Sequence, residues 1–149
     1  MLRADWMDCK CTECNSNSIV KIEEPKSTSA TFENSARVEH KVTRFDGCVK
    51  RNEIACDFIV EKPMVGRLAV ELKGSDIDHA AEQIAAGLAY LKEKGLCDLR
   101  MAGLVVCTRY PSEDTKVQRI RQRLAKQFRA TLTVRRDARN IEFSSLFKL

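Results

Sequence analysis

Apolar and polar positions change period along the chain, and the changes mark its elements. Ser18 to Ile22 reads as a short strand, closed by Glu23, Glu24 and Pro25. Ser27 to Ser35 is too polar and Ser/Thr-rich to assign. Val38 to Phe45 mixes apolar and charged residues as a half-exposed strand does, and Asp46-Gly47 ends it as a turn. Cys56 to Val60 is a second strand, with Pro63 and Gly66 marking the turn after it. Arg67 to Lys73 is a third, rich in aliphatic residues and stopped by Gly74. Three strands in series predict a meander.

The period then lengthens. Ile77, Ala80, Ala81, Ile84, Leu88 and Leu91 recur at three- and four-residue spacing, which predicts a helix capped by Ser75 or Asp76 and ended by Gly95. Met101 to Thr108 is a continuous apolar run, the pattern of a strand covered on both faces. After Pro111, Ser112 caps a second helix with the stripe Val117, Ile120, Leu124 and Phe128, and Thr131 to Arg135 alternates as a last strand. A meander, a helix, a strand, a helix and a strand describe an α/β fold with a mixed sheet flanked by helices.

Within the third strand, LAVELKG carries a charged pair that packing alone does not require. Leu68, Val70 and Leu72 face one way, Ala69, Glu71 and Lys73 the other. On the preceding strand Asp57 alternates with Cys56 and Phe58, so pairing across the Glu61 to Gly66 turn brings it towards Glu71. Two carboxylates held together repel unless a cation joins them. Asp57 and Glu71 are therefore candidate ligands for Mg2+ or Mn2+, with coordination positions left for phosphodiester oxygens. Lys73, on the same face, is placed to orient or help deprotonate an attacking water.

Composition narrows the setting. The chain has 149 residues, 44% of them apolar and 32% charged, which suits one globular domain; residues 1–26 form a cysteine-containing N-terminal extension. Its longest apolar stretch is far shorter than the roughly 20 residues of a membrane span, and MLRADWMDCK lacks a signal-peptide core. A cytoplasmic protein with no membrane partner is expected. The formal charge is +5, concentrated between Arg109 and Arg139, where ten basic residues stand against three acids. That run is a candidate phosphate-facing surface, with Arg119, Arg123 and Lys126 spaced along the second helix. Seven cysteines in such a setting read as thiols or metal ligands. Cys9, Cys11 and Cys14 can supply three thiolates to a structural Zn2+, with Cys48, Cys56 or His40 as the fourth ligand. Cys97 and Cys107 read as buried packing residues.

Asp57 in ACDFIVEKP followed by Glu71 and Lys73 in LAVELKG resembles the active-site motif of the PD-(D/E)XK nuclease superfamily. Three strands, a helix and a fourth strand over Val38 to Thr108 are similar to its restriction-endonuclease-like core. E-x-K occurs three times, at Glu24/Lys26, Glu39/Lys41 and Glu71/Lys73, and only the last lies in an aliphatic strand after an acid on its neighbour. The resemblance implies that the backbone carbonyl of Leu72 also serves the metal, and that Gln83 lies near the substrate backbone with His79 beside it. In some members a tyrosine stands four residues after that glutamine; here the position is Gly87. The family's opening helix and its extra acid have no clear counterpart, which leaves Glu33 or Asp46 for that role.

The expectation is a Mg2+-dependent nuclease that hydrolyses phosphodiester bonds, in DNA before RNA, working as a homodimer where both strands are cut symmetrically. Its rival is a non-catalytic nucleic-acid- or protein-binding module on the same fold, stabilised by zinc.

Overall fold

The computed structural model describes residues 10–24, 28–72, 76–96, 98–109 and 114–148. Nine strands and two helices alternate along them. Strands β1 (Thr12–Asn15), β2 (Ile19–Glu23), β3 (Ser29–Glu33), β4 (His40–Arg44), β5 (Phe58–Lys62) and β6 (Gly66–Leu72) lead into helix α1 (Ile77–Glu93). Strand β7 (Arg100–Val106), helix α2 (Asp114–Phe128), strands β8 (Thr131–Arg135) and β9 (Ile141–Glu142) and a 3-10 turn (Phe143–Phe147) follow.

The large sheet has the order β1-β4-β5-β6-β7-β8. Its first half is the expected meander: β4, β5 and β6 pair antiparallel, with Ile59 opposite Ala69. Its second half is parallel, because each helix returns the chain to the edge where the previous strand began. The protein is thus an α/β fold with a mixed sheet and two helices.

Both faces of this sheet are covered. On one, Ile59, Ala69, Val105 and Leu132 pack under Ile84, Leu88, Ile120 and Leu124 of the helices. On the other, Phe58, Val60, Leu68, Val70 and Leu104 pack against a small sheet, β2-β3-β9, and the 3-10 turn. The continuous apolar run of β7 follows from this, since its alternate residues enter different cores.

Three features depart from the sequence reading. Residues 29–33 form a strand: Ala30 and Phe32 alternate inward, and their pairing with β2 and β9 outweighs the polar neighbours. β5 starts at Phe58 rather than Cys56, because the Cys56 and Asp57 carbonyls accept from the backbone N–H groups of Asp46 and Phe45 instead of from a ladder. Cys11 is bonded to Cys48, which fixes β1 to the turn after β4. The expected thiolate triplet accordingly loses Cys11; Cys14 is an exposed thiol and Cys9 lies outside the described residues. No helix among the described residues is long and apolar enough to cross a membrane.

Candidate functional site

Asp57 and Glu71 meet where the β5–β6 hairpin opens at the carboxyl end of β6. The register that sets Phe58 opposite Val70 brings Asp57 opposite Glu71 one step further on. Asp57 does not continue the ladder with its carbonyl. Instead its Oδ2 accepts from the Leu72 N–H at 2.8 Å, while its own N–H donates to the Val70 carbonyl at 3.0 Å. These two bonds fix the carboxyl beside β6. Both acids lie on the helix-facing side, as Ile59 and Ala69 do.

The electrostatics of the pair are adverse. Glu71 is only 7% exposed, and its Oε1 is buried with no hydrogen-bond partner. Burial pushes the Asp57 carboxyl up to about 6, with the Leu72 N–H working against it and the charges of Glu24 and Asp46 adding to it. Burial, and then the charge of Asp57, pushes Glu71 to about 8. The two carboxyls are within hydrogen-bonding reach of each other, so one proton kept on Glu71 ties them together at neutral pH. When both ionise, neither can donate, and the buried Oε1 is left unmatched.

The surrounding residues sort into neighbours and outsiders. Asp46 sits on the exposed turn after β4 and is close enough for its charge to raise both acids. Glu33 belongs to β3, in the small sheet, where it accepts from the Ser35 N–H at 3.1 Å. Gln83 reaches from α1 to the Ala55 carbonyl, with Nε2 donating at 3.5 Å, two residues before Asp57. His79 is exposed on the first turn of α1, whose N-cap Asp76 accepts from the N–H groups of Asp78 and His79. Lys73 lies outside the described residues, as do Ser75 and Ser112. Gly87 packs against the site from above: a Cβ there would lie 2.7 Å from Cys56 Sγ and 3.3 Å from the Ala69 Cβ. A side chain at that position would force Cys56 to move.

The basic residues named from the sequence, Arg119, Arg123 and Lys126, are all exposed on α2. Arg123 Nη1 is committed to Glu82 Oε1 at 2.7 Å, across the α1–α2 contact. Lys126 stands in the last turn of α2, which runs antiparallel to the strands, so the helix carries it about 18 Å from its own start at the end of the sheet where the acids lie, and about 10 Å beyond Arg119. Sequence reasoning counted Arg109, Arg135 and Arg136 only as part of a charge run. The register sets Leu72 beside Val106 and Val106 beside Arg135, so Arg135 lies two strand spacings of about 4.8 Å from β6 on the face it shares with Leu72 and Val106, opposite to Glu71, while Arg109 and Arg136 follow the ends of β7 and β8. Arg109 and Arg136 are exposed. Only the pairing of β7 with β8 reveals this placement, and no local signal in the sequence does.

Among the described residues, no three His, Cys, Asp or Glu side chains form a ready cluster for a metal ion. The donor set at the hairpin nevertheless suits a hard divalent cation: two facing carboxyls, one with a buried oxygen lacking a partner, beside a strand end whose Leu72 carbonyl belongs to the same turn of chain. Comparison with protein families, with characterised proteins and with solved structures found no match.

Proposed function

We propose that this chain is a metal-dependent nuclease of the PD-(D/E)XK kind, with the restriction-endonuclease-like core formed by β4, β5, β6, α1 and β7. The observation that carries this reading is the pairing of a half-buried carboxyl, Asp57, with a buried one, Glu71, without a cationic side chain to match them among the described residues. A structural role would favour neutral residues here, because burying like charges together is costly. A divalent ion removes that cost.

Asp57 and Glu71 would hold Mg2+ or Mn2+, with the Leu72 carbonyl as a further oxygen donor. The ion supplies Lewis-acid stabilisation of the negative charge that develops on a phosphodiester under attack by water. The chain's residues then have separate tasks. The Leu72 N–H fixes Asp57 in the ionised form that binds a cation. Gln83 steadies the backbone two residues upstream through the Ala55 carbonyl. Lys73, which follows Leu72, orients the attacking water. Arg109 and Arg136, exposed just past the ends of β7 and β8, contact phosphates that flank the scissile bond, and DNA is the preferred substrate.

The test is incubation of purified protein with linear DNA, circular DNA and RNA, with Mg2+, with Mn2+ and with chelator, alongside Glu71→Ala and Lys73→Ala. Metal-dependent cleavage lost in both variants supports the reading and identifies the substrate class. Retained nucleic-acid binding with no cleavage of any substrate would instead favour the non-catalytic module.

A further inference from the structure

A second feature lies at the far end of the sheet, about 17 Å along β6 from Glu71. The start of β7 and the last turns of α1 and α2 enclose a groove of 590 Å³, whose walls include Lys92, Arg100, Lys126 and Arg129. An adjoining hollow of 410 Å³ shares Arg100, Met101 and Arg129 and adds Lys148. Leu99, Met101 and Phe128 form an apolar wall. The volume is that of a small-ligand site.

The charge is one-sided. Asp98, the acid in the wall, is engaged by Arg67 at 2.8 Å. Lys92 and Lys126 fall in the last turns of their helices, where they complement the helix dipoles. That explanation does not reach Arg100 or Arg129. Neither makes a side-chain hydrogen bond or ion pair among the described residues.

Arg129 carries a further signal. It ends α2 with φ of +53°, its N–H donating to the Ala125 carbonyl and the Ala130 N–H to that of Leu124. This is the left-handed C-terminal position that glycine fills at least cost. An arginine held there at a backbone penalty, with its side chain lining both hollows, indicates that the side chain has a use.

We propose that this groove binds a nucleoside polyphosphate, its phosphates held by Arg100, Lys126 and Arg129 and its base against Leu99, Met101 and Phe128. The site is separate from the Asp57–Glu71 pair, and it stands or falls independently of the nuclease reading.

The test is a titration of the full chain with a fluorescent ATP analogue, followed by competition with ATP, with inorganic pyrophosphate and with adenosine. ATP and pyrophosphate should displace the probe and adenosine should not. Arg129→Gly should weaken ATP binding roughly tenfold, the loss expected for one charge-assisted contact, while its Tm stays equal or rises because the backbone strain is relieved. Arg100→Ala combined with Lys126→Ala should weaken it further, and Glu71→Ala should leave it unchanged. Absence of saturable binding to the folded wild type at millimolar ATP overturns the proposal. So does wild-type affinity in Arg129→Gly and the double variant, or affinity lost in Glu71→Ala instead.

Discussion

Strand β6 buries an ionic cluster at each end, and the two are satisfied to opposite degrees. At its start, Arg67 is 4% exposed and paired with two acids: Nε donates to Glu61 at 2.7 Å, and Nη1 to Asp98 and to the Leu96 carbonyl, each at 2.8 Å. At its end, Glu71 is buried to a similar extent with another acid for a neighbour and one oxygen without a partner. Both lie on the helix-facing side of one strand, so solvent exposure and sheet position do not separate them. The presence of a cationic side chain among the described residues does. A charge buried for stability comes with its counter-charge, whereas a charge buried without one is poised to receive something from outside.

The comparison breaks most sharply under substitution of the acids. Asp57→Asn and Glu71→Gln should each lower metal-dependent cleavage by on the order of a thousandfold, the effect of losing several kcal/mol of charge stabilisation. Steady-state rates on a DNA substrate in Mg2+ measure this. In metal-free buffer at pH 8, Glu71→Gln should melt no lower than wild type, because a neutral amide replaces an unmatched buried carboxylate. A Tm depressed by several degrees would place Glu71 among the structurally paired acids instead.

Arg67→Met tests the other end. It strands Glu61 and Asp98 without their cation and should cost about 3–5 kcal/mol in urea unfolding, with cleavage per folded molecule unchanged. The disulfide comes next. Cys11–Cys48 holds the turn whose Phe45 and Asp46 N–H groups bind the carbonyls of Asp57 and Cys56. Cys48→Ser, or reduction with dithiothreitol, should therefore cost about 2–4 kcal/mol, while Cys14→Ser costs little.

The acids also set a pH dependence. Both folded-state values, about 6 for Asp57 and about 8 for Glu71, lie above the ordinary carboxyl range. The folded chain therefore holds protons that the unfolded chain releases. This contribution to stability is complete below about pH 4 and is lost as pH rises through 6 and 8, at up to about 1.4 kcal/mol per pH unit for each titrating proton. Metal-free thermal melts from pH 5 to 8 should fall accordingly, the fall should be shallower in Glu71→Gln, and Mg2+ should raise Tm more at pH 8 than at pH 6. The smallest effect belongs to the exposed pair Arg123–Glu82: Arg123→Ala should change stability by about 1 kcal/mol at most and leave DNA affinity intact.

Much of the architecture is written in local periodicity. The three- and four-residue spacing of Ile77 to Leu91 and of Val117 to Phe128 specifies both helices, and the aliphatic runs specify β6, β7 and β8. Alternation within LAVELKG separates Leu68, Val70 and Leu72 from Glu71, and the short turn before it brings Asp57 opposite, so the acid pair is legible before any fold is known. β3 is not legible, because two inward residues, Ala30 and Phe32, make too weak an alternation until β2 and β9 flank them. Spacing could not choose a partner for Cys11, since joining it to Cys48 depends on β1 lying beside β4. The same holds for the surface charges: sequence groups Arg119, Arg123 and Lys126 along one helix, while the parallel pairing of β6, β7 and β8 sets Arg109 and Arg136 just past the strand ends on the side of the sheet where Glu71 ends β6 and leaves Lys126 by the start of β7. Periodicity is fixed by neighbours a few residues apart, so the sequence determines elements and faces; which faces and ends meet depends on contacts closed over long stretches of chain, and only the tertiary structure decides them.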